Sequence, residues 1–483
     1  MGTKKNLRAY RKDTLIYIPG KIIEGIMGFV TIYFFTKFFP PEEYGLYSLL
    51  ISGVGLISSL SVGWLNHSIL RYSGTKEYKN YFHKTIFNIW LYVNLMVVSI
   101  AIIITVLSKE LSVNTYLPII VIFVYLTSNT WRILQTLLRS NRRSIVYTTL
   151  LTVGQVVKFV LTVLLVKLSN LGIISIFISI SLVDFLSVLI ATKNLNLISN
   201  IRKSKLSRGV LKRFIQYGFP LVGVSMISWI LSASDRYLLA FFRDTSEVGM
   251  YSTAYSLVSQ PLALITGSLM LSATPIIVAS WNKEGYENTV KLISKITLYF
   301  ITLMFPAIVG ITILKEEIFN FIIDHRYYDA NIILPWISLG IFFMSLTQYI
   351  NKYWELQQAT KVIFKLTTFS AFLNLVLNLI FIPKYGFNAA AITTLLTYFI
   401  LFLMSLILNL KNFKMRLDLN KLVKVSIATL IMSISLYLSQ DRIDSLFHLI
   451  IIIIVNFLVY FIALVFQGMF KDRMKIFERR NIK

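Results

Sequence analysis

The sequence predicts an all-α polytopic membrane protein with about fourteen transmembrane helices. First, 56% of its 483 residues are hydrophobic and only 14% are charged, whereas a soluble domain carries about 25% charged residues. Second, apolar runs long enough to cross a bilayer recur along the whole chain. Third, lysine and arginine are concentrated in alternate loops. A water-soluble protein of this composition is excluded, because the surplus apolar surface must face lipid.

The apolar runs define the expected spans, since a helix needs about 20 apolar residues to cross the hydrocarbon core. They lie near residues 15–36, 44–66, 85–107, 116–138, 145–166, 171–192, 216–241, 248–279, 290–314, 331–351, 363–382, 387–410, 422–439 and 445–469. The first run follows a basic stretch, as in a signal peptide. However, Lys21 and Glu24 interrupt it and no small-residue cleavage site follows, so we expect a retained first helix.

The distribution of basic residues predicts the orientation. With the N-terminus inside and alternating spans, the inner loops and tails hold 35 of the 48 lysines and arginines, and the outer loops hold 8. Cytoplasmic loops are enriched in these residues, so we expect an even number of spans with both termini cytoplasmic. The inner segment 193–213 is the most basic, with seven cations and no acid.

A motif repeated in the two halves of the chain predicts a duplicated architecture. Glu43-Tyr-Gly-Leu-Tyr-Ser48 opens helix 2, and Glu247-Val-Gly-Met-Tyr-Ser252 opens helix 8, 204 residues later. Gly172 before helix 6 similarly matches Gly386 before helix 12. Shared loop composition is the alternative explanation. Repeats of six helices have the same orientation, with an axis along the membrane normal and a substrate path between them.

The repeat predicts four regions of the chain. They are an N-lobe of helices 1–6 (1–192), a basic cytoplasmic linker (193–213), a C-lobe of helices 7–12 (214–410), and helices 13–14 with a basic cytoplasmic tail (411–483).

Charged residues within the spans are the candidate functional residues. An ionisable residue at mid-bilayer costs about 2.5–3.5 kcal/mol, so it usually faces a cavity or a charged partner. The candidate substrate-binding cations are Lys21, Arg132, Lys158 and Lys295. Lys158 lies deepest. The other three lie about five or six residues from the cytoplasmic ends of their predicted helices, where they could instead extend to the headgroups.

The remaining charges within the spans are candidates for coupling or for charge pairs: Glu24, Asp184, Asp235 and Arg236. Asp184 could form a structural pair with Lys158, or it could tune Lys158 as a cavity cation for a diphosphate; both interpretations stay open. Glu24 and Asp184 could also couple transport to protons or sodium ions.

Several classes of chemistry are not expected. The chain has no cysteine and four scattered histidines, so we expect no disulfide and no metal site. It lacks a glycine-rich phosphate-binding motif, so we expect no built-in ATPase. We predict a protein that is not an enzyme, needs no cofactor, binds no nucleic acid and is a monomer, with its excess of cations on cytoplasmic loops.

Three stretches of the chain resemble the Wzx-like polysaccharide flippase family. They are Glu42-Glu-Tyr-Gly-Leu-Tyr47, Ser234-Asp-Arg-Tyr-Leu-Leu leading into Glu247–Tyr255, and Asn374–Asn378 followed by Ile382-Pro-Lys-Tyr-Gly386 and Ala389–Ala391. This family belongs to the MOP superfamily, which also contains the MATE exporters and the lipid II flippase. The resemblance covers helices 1 to 12 and is nearly silent on the substrate.

The resemblance implies two six-helix lobes in a V around a central hydrophilic cavity, followed here by two further helices. It implies a cell-membrane flippase that moves an undecaprenyl-diphosphate-linked oligosaccharide outward by alternating access, with membrane lipid and the lipid-linked saccharide as partners. It also favours a structural or gating role for Asp235 and Arg236. A MATE-like exporter of small molecules is the first alternative, and a membrane-embedded glycosyltransferase or polymerase is the second. The saccharide, its lipid carrier and the coupling ion stay open.

Overall fold

The described part of the chain is helical and supplies fourteen membrane-spanning segments. A computed structural model describes residues 20–469 apart from 21–22, 74–77, 79, 108–115, 170 and 411–414. Within these residues, ten helices are long and apolar enough to cross a membrane, and two of them are each interrupted at a glycine. Helices 23–38 and Tyr116–Ser140 complete the fourteen. The predicted fold class is therefore confirmed.

The first six spans are α1 (residues 23–38), α2 (Pro41–Tyr72), α3 (Phe82–Leu107), α4 (Tyr116–Ser140), α5 (Ser144–Leu168) and α6 (Ile174–Asn194). The next six are α7 (Pro220–Phe242), α8 (residues 245–284), α9 (286–313), α10 (Leu334–Ile350), α11 (360–385) and α12 (387–410). The last two are α13 (Leu419–Ser439) and α14 (Leu446–Phe466). Short helices Leu197–Lys203, Arg208–Gly218, Lys315–Ile322 and Lys352–Leu356 lie between spans.

The linker predicted as a loop is largely helical. Helix Arg208–Gly218 begins where the Ser207 hydroxyl accepts a hydrogen bond from the backbone N–H of Val210, as an N-cap residue does. Val210, Phe214 and Gly218 are buried, and their spacing of four residues places them on one helical face. Loop composition concealed this helix, because its other positions are mostly polar or basic.

The chain divides into two compact units. Unit 1 comprises residues 1–31 and 46–233, and unit 2 comprises residues 32–45 and 234–483. In unit 1, the core around Trp64, Trp131 and Leu138 joins α2 and α4 to the linker helix through Phe214. The lobe boundaries given above stay a prediction.

Unit 2 is held together partly by polar contacts between its helices. Asn374 on α11 donates to Thr397 on α12, at 3.4 Å, and Thr393 donates to Asn378. These contacts satisfy side chains that would be costly to leave unpaired in hydrocarbon. The hydroxyl of Tyr460 on α14 donates to the carbonyl of Thr302 on α9 at 2.7 Å, which attaches the final helix pair to unit 2.

The structure supports the internal repeat. Helix α2 begins at Pro41 and α8 begins at Thr245, the same separation of 204 residues as between the two sequence motifs. The matched glycines also share a left-handed backbone, with φ of +52° at Gly172 and +57° at Gly386. Glycine adopts this conformation without steric cost, so the same chain break occurs in both copies.

The repeated motifs contact each other through their glycines. A Cβ atom on Gly45 would lie 1.8 Å from the carbonyl oxygen of Thr245, and one on Gly249 would lie 2.0 Å from that of Pro41. The contact is reciprocal, because Thr245 stands in the second copy where Pro41 stands in the first. Because glycine has no side chain, the first turns of α2 and α8 can approach until their backbones are in contact.

We predict that Gly45→Ala or Gly249→Ala lowers the thermal stability of the purified protein. Each methyl group would overlap a backbone oxygen, and overpacking of this kind costs about 1–3 kcal/mol or more. The matched control is Gly267→Ala, also on α8, where an added Cβ has no neighbour within 4 Å. It should be neutral or slightly stabilising, because alanine favours helix. Melting curves in detergent measure the difference, and equal melting temperatures for all three variants would contradict the close contact.

Candidate functional site

An ion pair lies within the spans of unit 1. The Lys158 ammonium on α5 lies 2.6 Å from Oδ1 of Asp184 on α6. The hydroxyl of Ser128 on α4 donates to the other carboxylate oxygen at 2.5 Å. Three helices therefore converge on one buried carboxylate, and two of the predicted site residues form a direct pair.

The two partners of this pair differ in exposure. The Asp184 side chain is 3% exposed, whereas that of Lys158 is 28% exposed. A carboxylate this buried needs a cation and hydrogen-bond donors to stay charged. The pair thus links α5 to α6, while part of the lysine side chain stays accessible from outside the packed interior; whether the pair is structural or belongs to a cavity stays open.

Arg132 extends the positive charge along α4. It lies one turn beyond Ser128, is exposed, and is close enough to Asp184 for electrostatic interaction. Because α4 continues to Ser140, Arg132 lies eight residues from the end of the helix, about 12 Å along its axis. The sequence analysis placed Arg132 only five or six residues from the end of its helix, which was too short. The Arg132 side chain would therefore have to extend further to contact the headgroups.

Of the remaining candidates, the structure describes Lys295 and Glu24. Lys21 lies outside the part of the chain that the structure describes. Lys295 is exposed on α9 and belongs to unit 2. Glu24 lies on α1, half-buried.

A buried polar network lies beside the ion pair on α4, and sequence analysis did not identify it. The hydroxyl of Tyr125 donates to Ser61 at 3.0 Å, within a π-helical turn of α2 at Ser59–Gly63. The Asn129 amide contacts both the Tyr125 hydroxyl and the Asn94 carbonyl oxygen. Isolated asparagines in apolar helices were the available signal, since such residues need partners within the membrane.

In unit 2, Asp235 and Arg236 connect α7 to α8. Asp235 is 3% exposed and accepts hydrogen bonds from the Tyr251 hydroxyl and from the Arg236 backbone N–H. The Arg236 guanidinium donates to Ser252 at 3.1 Å and lies over the Tyr255 ring at 5.1 Å. These contacts join α7 to α8, and the structural or gating role expected for both residues stays a prediction.

The motifs that carry the family resemblance converge in unit 2. A carboxylate oxygen of Glu247 accepts a hydrogen bond from the backbone N–H of Phe387 at 2.9 Å, at the start of α12. Gly386 leaves room for this carboxylate, which would lie 2.1 Å from a Cβ atom there. Arg243 neutralises Glu247 from the α7 end, at 2.6 Å. Glu247 therefore joins the ends of α7, α8 and α12, and its role here is structural.

The loop between α9 and α10 fixes the end of α1. Arg326 donates to the backbone carbonyls of Thr36 and Lys37, and Tyr327 donates to that of Phe39. A cation at these carbonyls complements the C-terminal end of a helix. Burial alone would raise the pKa of Asp324, but hydrogen bonds from the side chain and backbone of Arg326 hold that pKa below its usual value. The charged carboxylate positions Arg326.

Comparison with known proteins relates the chain to membrane transporters. The family model described as "Polysaccharide biosynthesis protein" matches residues 10–281, and the MatE model matches residues 220–380. The structure aligns with the lipid II flippase MurJ in an inward closed conformation over 95% of this chain and 100% of that one. The TM-score is 0.76 and the sequence identity 20%, a likeness that shows the fold.

Two curated relatives match shorter stretches. The chain is 26% identical over 212 residues to the lipid II flippase MurJ of Thermosipho africanus, covering 42% of each protein. It is 23% identical over 178 residues to a probable low-salt glycan biosynthesis flippase, Agl15, of Haloferax volcanii, covering 37% of this chain and 36% of the relative. The chain thus matches about two fifths of the length of its curated relatives.

We predict that Lys158→Met destabilises the protein and that adding Asp184→Leu restores much of the lost stability. Removing the cation leaves a buried carboxylate with Ser128 alone, and breaking a fully buried pair costs about 3–5 kcal/mol. Because Lys158 is partly exposed, we expect the loss of stability to lie near the lower end of this range. Thermal unfolding of the two single variants and the double variant measures the coupling. Equal melting temperatures for the wild type, Lys158→Met and the double variant would show that the pair contributes no stability.

Proposed function

We propose that this chain, which belongs to the polysaccharide biosynthesis protein family, is a flippase for a lipid-linked saccharide. Its substrate would be an oligosaccharide on a polyprenyl diphosphate such as undecaprenyl diphosphate, moved from the cytoplasmic to the outer leaflet. The observation that carries the proposal is the partly exposed Lys158, paired with Asp184, on a span that would otherwise face hydrocarbon, with the exposed Arg132 interacting electrostatically with the same carboxylate. Transport, rather than bond-forming catalysis, is the activity expected.

The physical requirements for moving such a substrate across a bilayer fit this arrangement. A sugar headgroup cannot leave water for hydrocarbon, because each unpaired polar group costs several kcal/mol. It needs a hydrated route, while its lipid chain stays in the bilayer. A diphosphate needs cations along that route, and arginine and lysine bind phosphate well. Lys158 and Arg132 supply such cations, with Lys21 and Lys295 as further candidates, and Asp184 positions Lys158.

The relatives support this substrate class. Agl15 is a probable glycan biosynthesis flippase and MurJ is a lipid II flippase, so both names refer to the movement of glycan-related or lipid-linked cargo. The charge balance agrees with an anionic substrate, because the predicted spans hold five cations and three acids.

We further propose that the protein lies in the cell membrane with both termini cytoplasmic and acts as a monomer. Transport would draw on a gradient, with protons or sodium ions as coupling candidates.

Export of a small cationic molecule is the second candidate function. The match of the MatE model to residues 220–380 favours it. A cavity for cations would require exposed carboxylates, whereas two of the three acids in the predicted spans, Asp184 and Asp235, are buried and paired and Glu24 is half-buried. We therefore rank this function below saccharide transport.

We predict that Lys158→Ala abolishes flipping of a labelled lipid-linked saccharide in liposomes and that Lys158→Arg retains most of it. The control is Lys167→Ala, which removes an exposed lysine near the end of the same helix. Equal activity of Lys158→Ala and wild type would contradict a role in transport. The double variant Lys158→Met/Asp184→Leu separates the two roles, because it should be stable yet inactive. A stable and active double variant would leave the pair with a structural role alone.

We also predict that flipping needs no nucleotide and responds to membrane potential. An outward-moving anion gains about 2.3 kcal/mol per net charge per 100 mV when the interior is negative. The gain is reduced by any positive charge that moves with the substrate. A potassium diffusion potential imposed on the liposomes tests this expectation. Flipping that is indifferent to potential and absent without ATP would contradict it, and efflux of small cations without saccharide flipping would favour the exporter.

A further inference from the structure

The most basic segment of the chain carries an ordered surface that the proposed transport route does not use. This segment consists of the predicted linker, residues 193–213, and residues 214–219, which complete its second helix. Residues 193–219 are called the basic linker from here on and contain the helices Leu197–Lys203 and Arg208–Gly218. It holds seven lysines and arginines and no acid. All of it belongs to unit 1.

One face of the basic linker is built into the core of unit 1. Phe214 is fully buried and stacks on Tyr72, with ring centroids 5.1 Å apart. Its carbonyl accepts a hydrogen bond from Ser68 on α2 at 3.0 Å. The Lys205 backbone N–H, between the two helices, donates to the Asn80 carbonyl at 2.8 Å. The segment is therefore held at a defined position at its second helix and at the connection before that helix.

The exposed surface of the basic linker, called its outer face here, combines positive charge with exposed apolar side chains. Its exposed cations, leaving aside Arg213, which hydrogen-bonds Tyr78, are Lys193, Arg202, Lys203, Lys205, Arg208 and Lys212. Large apolar side chains lie among them: Ile198, Leu206, Ile215, Tyr217 and Phe219 are all at least 41% exposed. A surface in contact with water alone would not expose so many apolar groups in one short segment.

This combination is the pattern of a membrane-interface surface. Basic amphipathic helices lie in the headgroup region, with apolar side chains inserted toward the acyl chains and cations among the headgroups. Clusters of four to eight lysines and arginines beside a transmembrane helix bind anionic lipids. Here the basic linker runs directly into α7 at Pro220, so its outer face lies where a span meets the headgroups.

A generic excess of positive charge on cytoplasmic loops does not account for the pattern. The turn between α8 and α9 is also predicted to be cytoplasmic, yet Lys283 there is flanked by Glu284 and Glu287. The basic linker has no neutralising acid and is fixed in place. A concentrated and positioned charge selects negative headgroups, whereas a balanced loop does not.

We propose that the outer face of the basic linker binds anionic phospholipid headgroups of the adjacent leaflet. The cations would contact lipid phosphates, while Ile198, Leu206 and Phe219 would insert between the acyl chains. The buried face transmits this anchoring to unit 1 through Phe214. The interaction goes beyond the proposed transport function and does not depend on which substrate the protein carries.

The test compares the purified full chain in nanodiscs of phosphatidylcholine alone and of phosphatidylcholine mixed with phosphatidylglycerol. Native mass spectrometry counts the retained lipid, and thermal unfolding measures the stability gained from it. The variant Arg202→Gln/Lys203→Gln/Lys205→Gln removes three exposed cations without touching a buried residue. We expect it to lose the preference for phosphatidylglycerol by about tenfold or more, because each cation near an anionic surface contributes about a fivefold affinity.

The matched control is Lys283→Gln/Lys291→Gln/Lys361→Gln, which removes three exposed lysines from unit 2. It should keep the preference of the wild type. Equal melting in phosphatidylcholine alone shows that both variants are folded. Equal phosphatidylglycerol retention by wild type and the linker variant would overturn the proposal, as would an equal loss in the control. Competition by soluble glycerol phosphate as effective as that by the lipid would also overturn it, since it would assign the site to free phosphate.

The apolar side chains give an independent test of insertion. Ile198→Ala/Leu206→Ala should reduce contact with phosphatidylcholine and phosphatidylglycerol alike, measured as quenching by brominated acyl chains of a fluorophore attached at residue 199. That position is exposed and is next to Ile198 in the sequence. Wild-type protein that shows no quenching there would place the basic linker in water and overturn the proposal.

Discussion

Hydrocarbon offers no hydrogen-bond partners, so every polar group that this chain places within its spans must find a partner inside the protein. The Asp184 carboxylate shows the constraint most plainly. Its position at 3% exposure requires Lys158 from one neighbouring helix and Ser128 from another. The same requirement pairs Asn374 with Thr397, and Asp235 with Tyr251. The positions of α4, α5 and α6 relative to each other follow in part from satisfying one carboxylate.

The helices and their number were predictable from the sequence, because hydrophobic length is a property that each segment carries by itself. Gly386 shows that chain breaks were partly predictable too: it was matched to Gly172 by sequence, and both adopt left-handed backbone. The pairing of Lys158 with Asp184 was foreseen as one of two possibilities, since both lie at mid-helix in neighbouring spans. Sequence alone could not decide it, because helix rotation determines whether two such side chains meet.

Other features depended on contacts between distant segments and were not predictable. Nothing near Tyr125 in the sequence indicates that its hydroxyl reaches Ser61 at a π-helical turn. The helical linker was missed because its high content of basic and polar residues is typical of a loop, and the role of Phe214 becomes clear only where Tyr72 stacks on it. Likewise, Gly45 and Gly249 were recognised as a repeated motif, but their contact with each other's helix required the fold.

The reciprocal glycine contact gives the repeat a physical purpose. When a duplicated motif contacts its own copy, the same residue type is needed on both sides. Each glycine here leaves room for the residue that opens the other helix. Glu247 then departs from the symmetry by accepting a hydrogen bond from Phe387 at the start of α12.

The charged groups of this protein lie in three environments with different consequences. Buried and paired groups such as Asp235 fix helices, and partly exposed groups such as Lys158 stay available for an anionic cargo. The exposed cations of the basic linker, as we propose, face the headgroups, where their charge acts on lipid rather than on the fold.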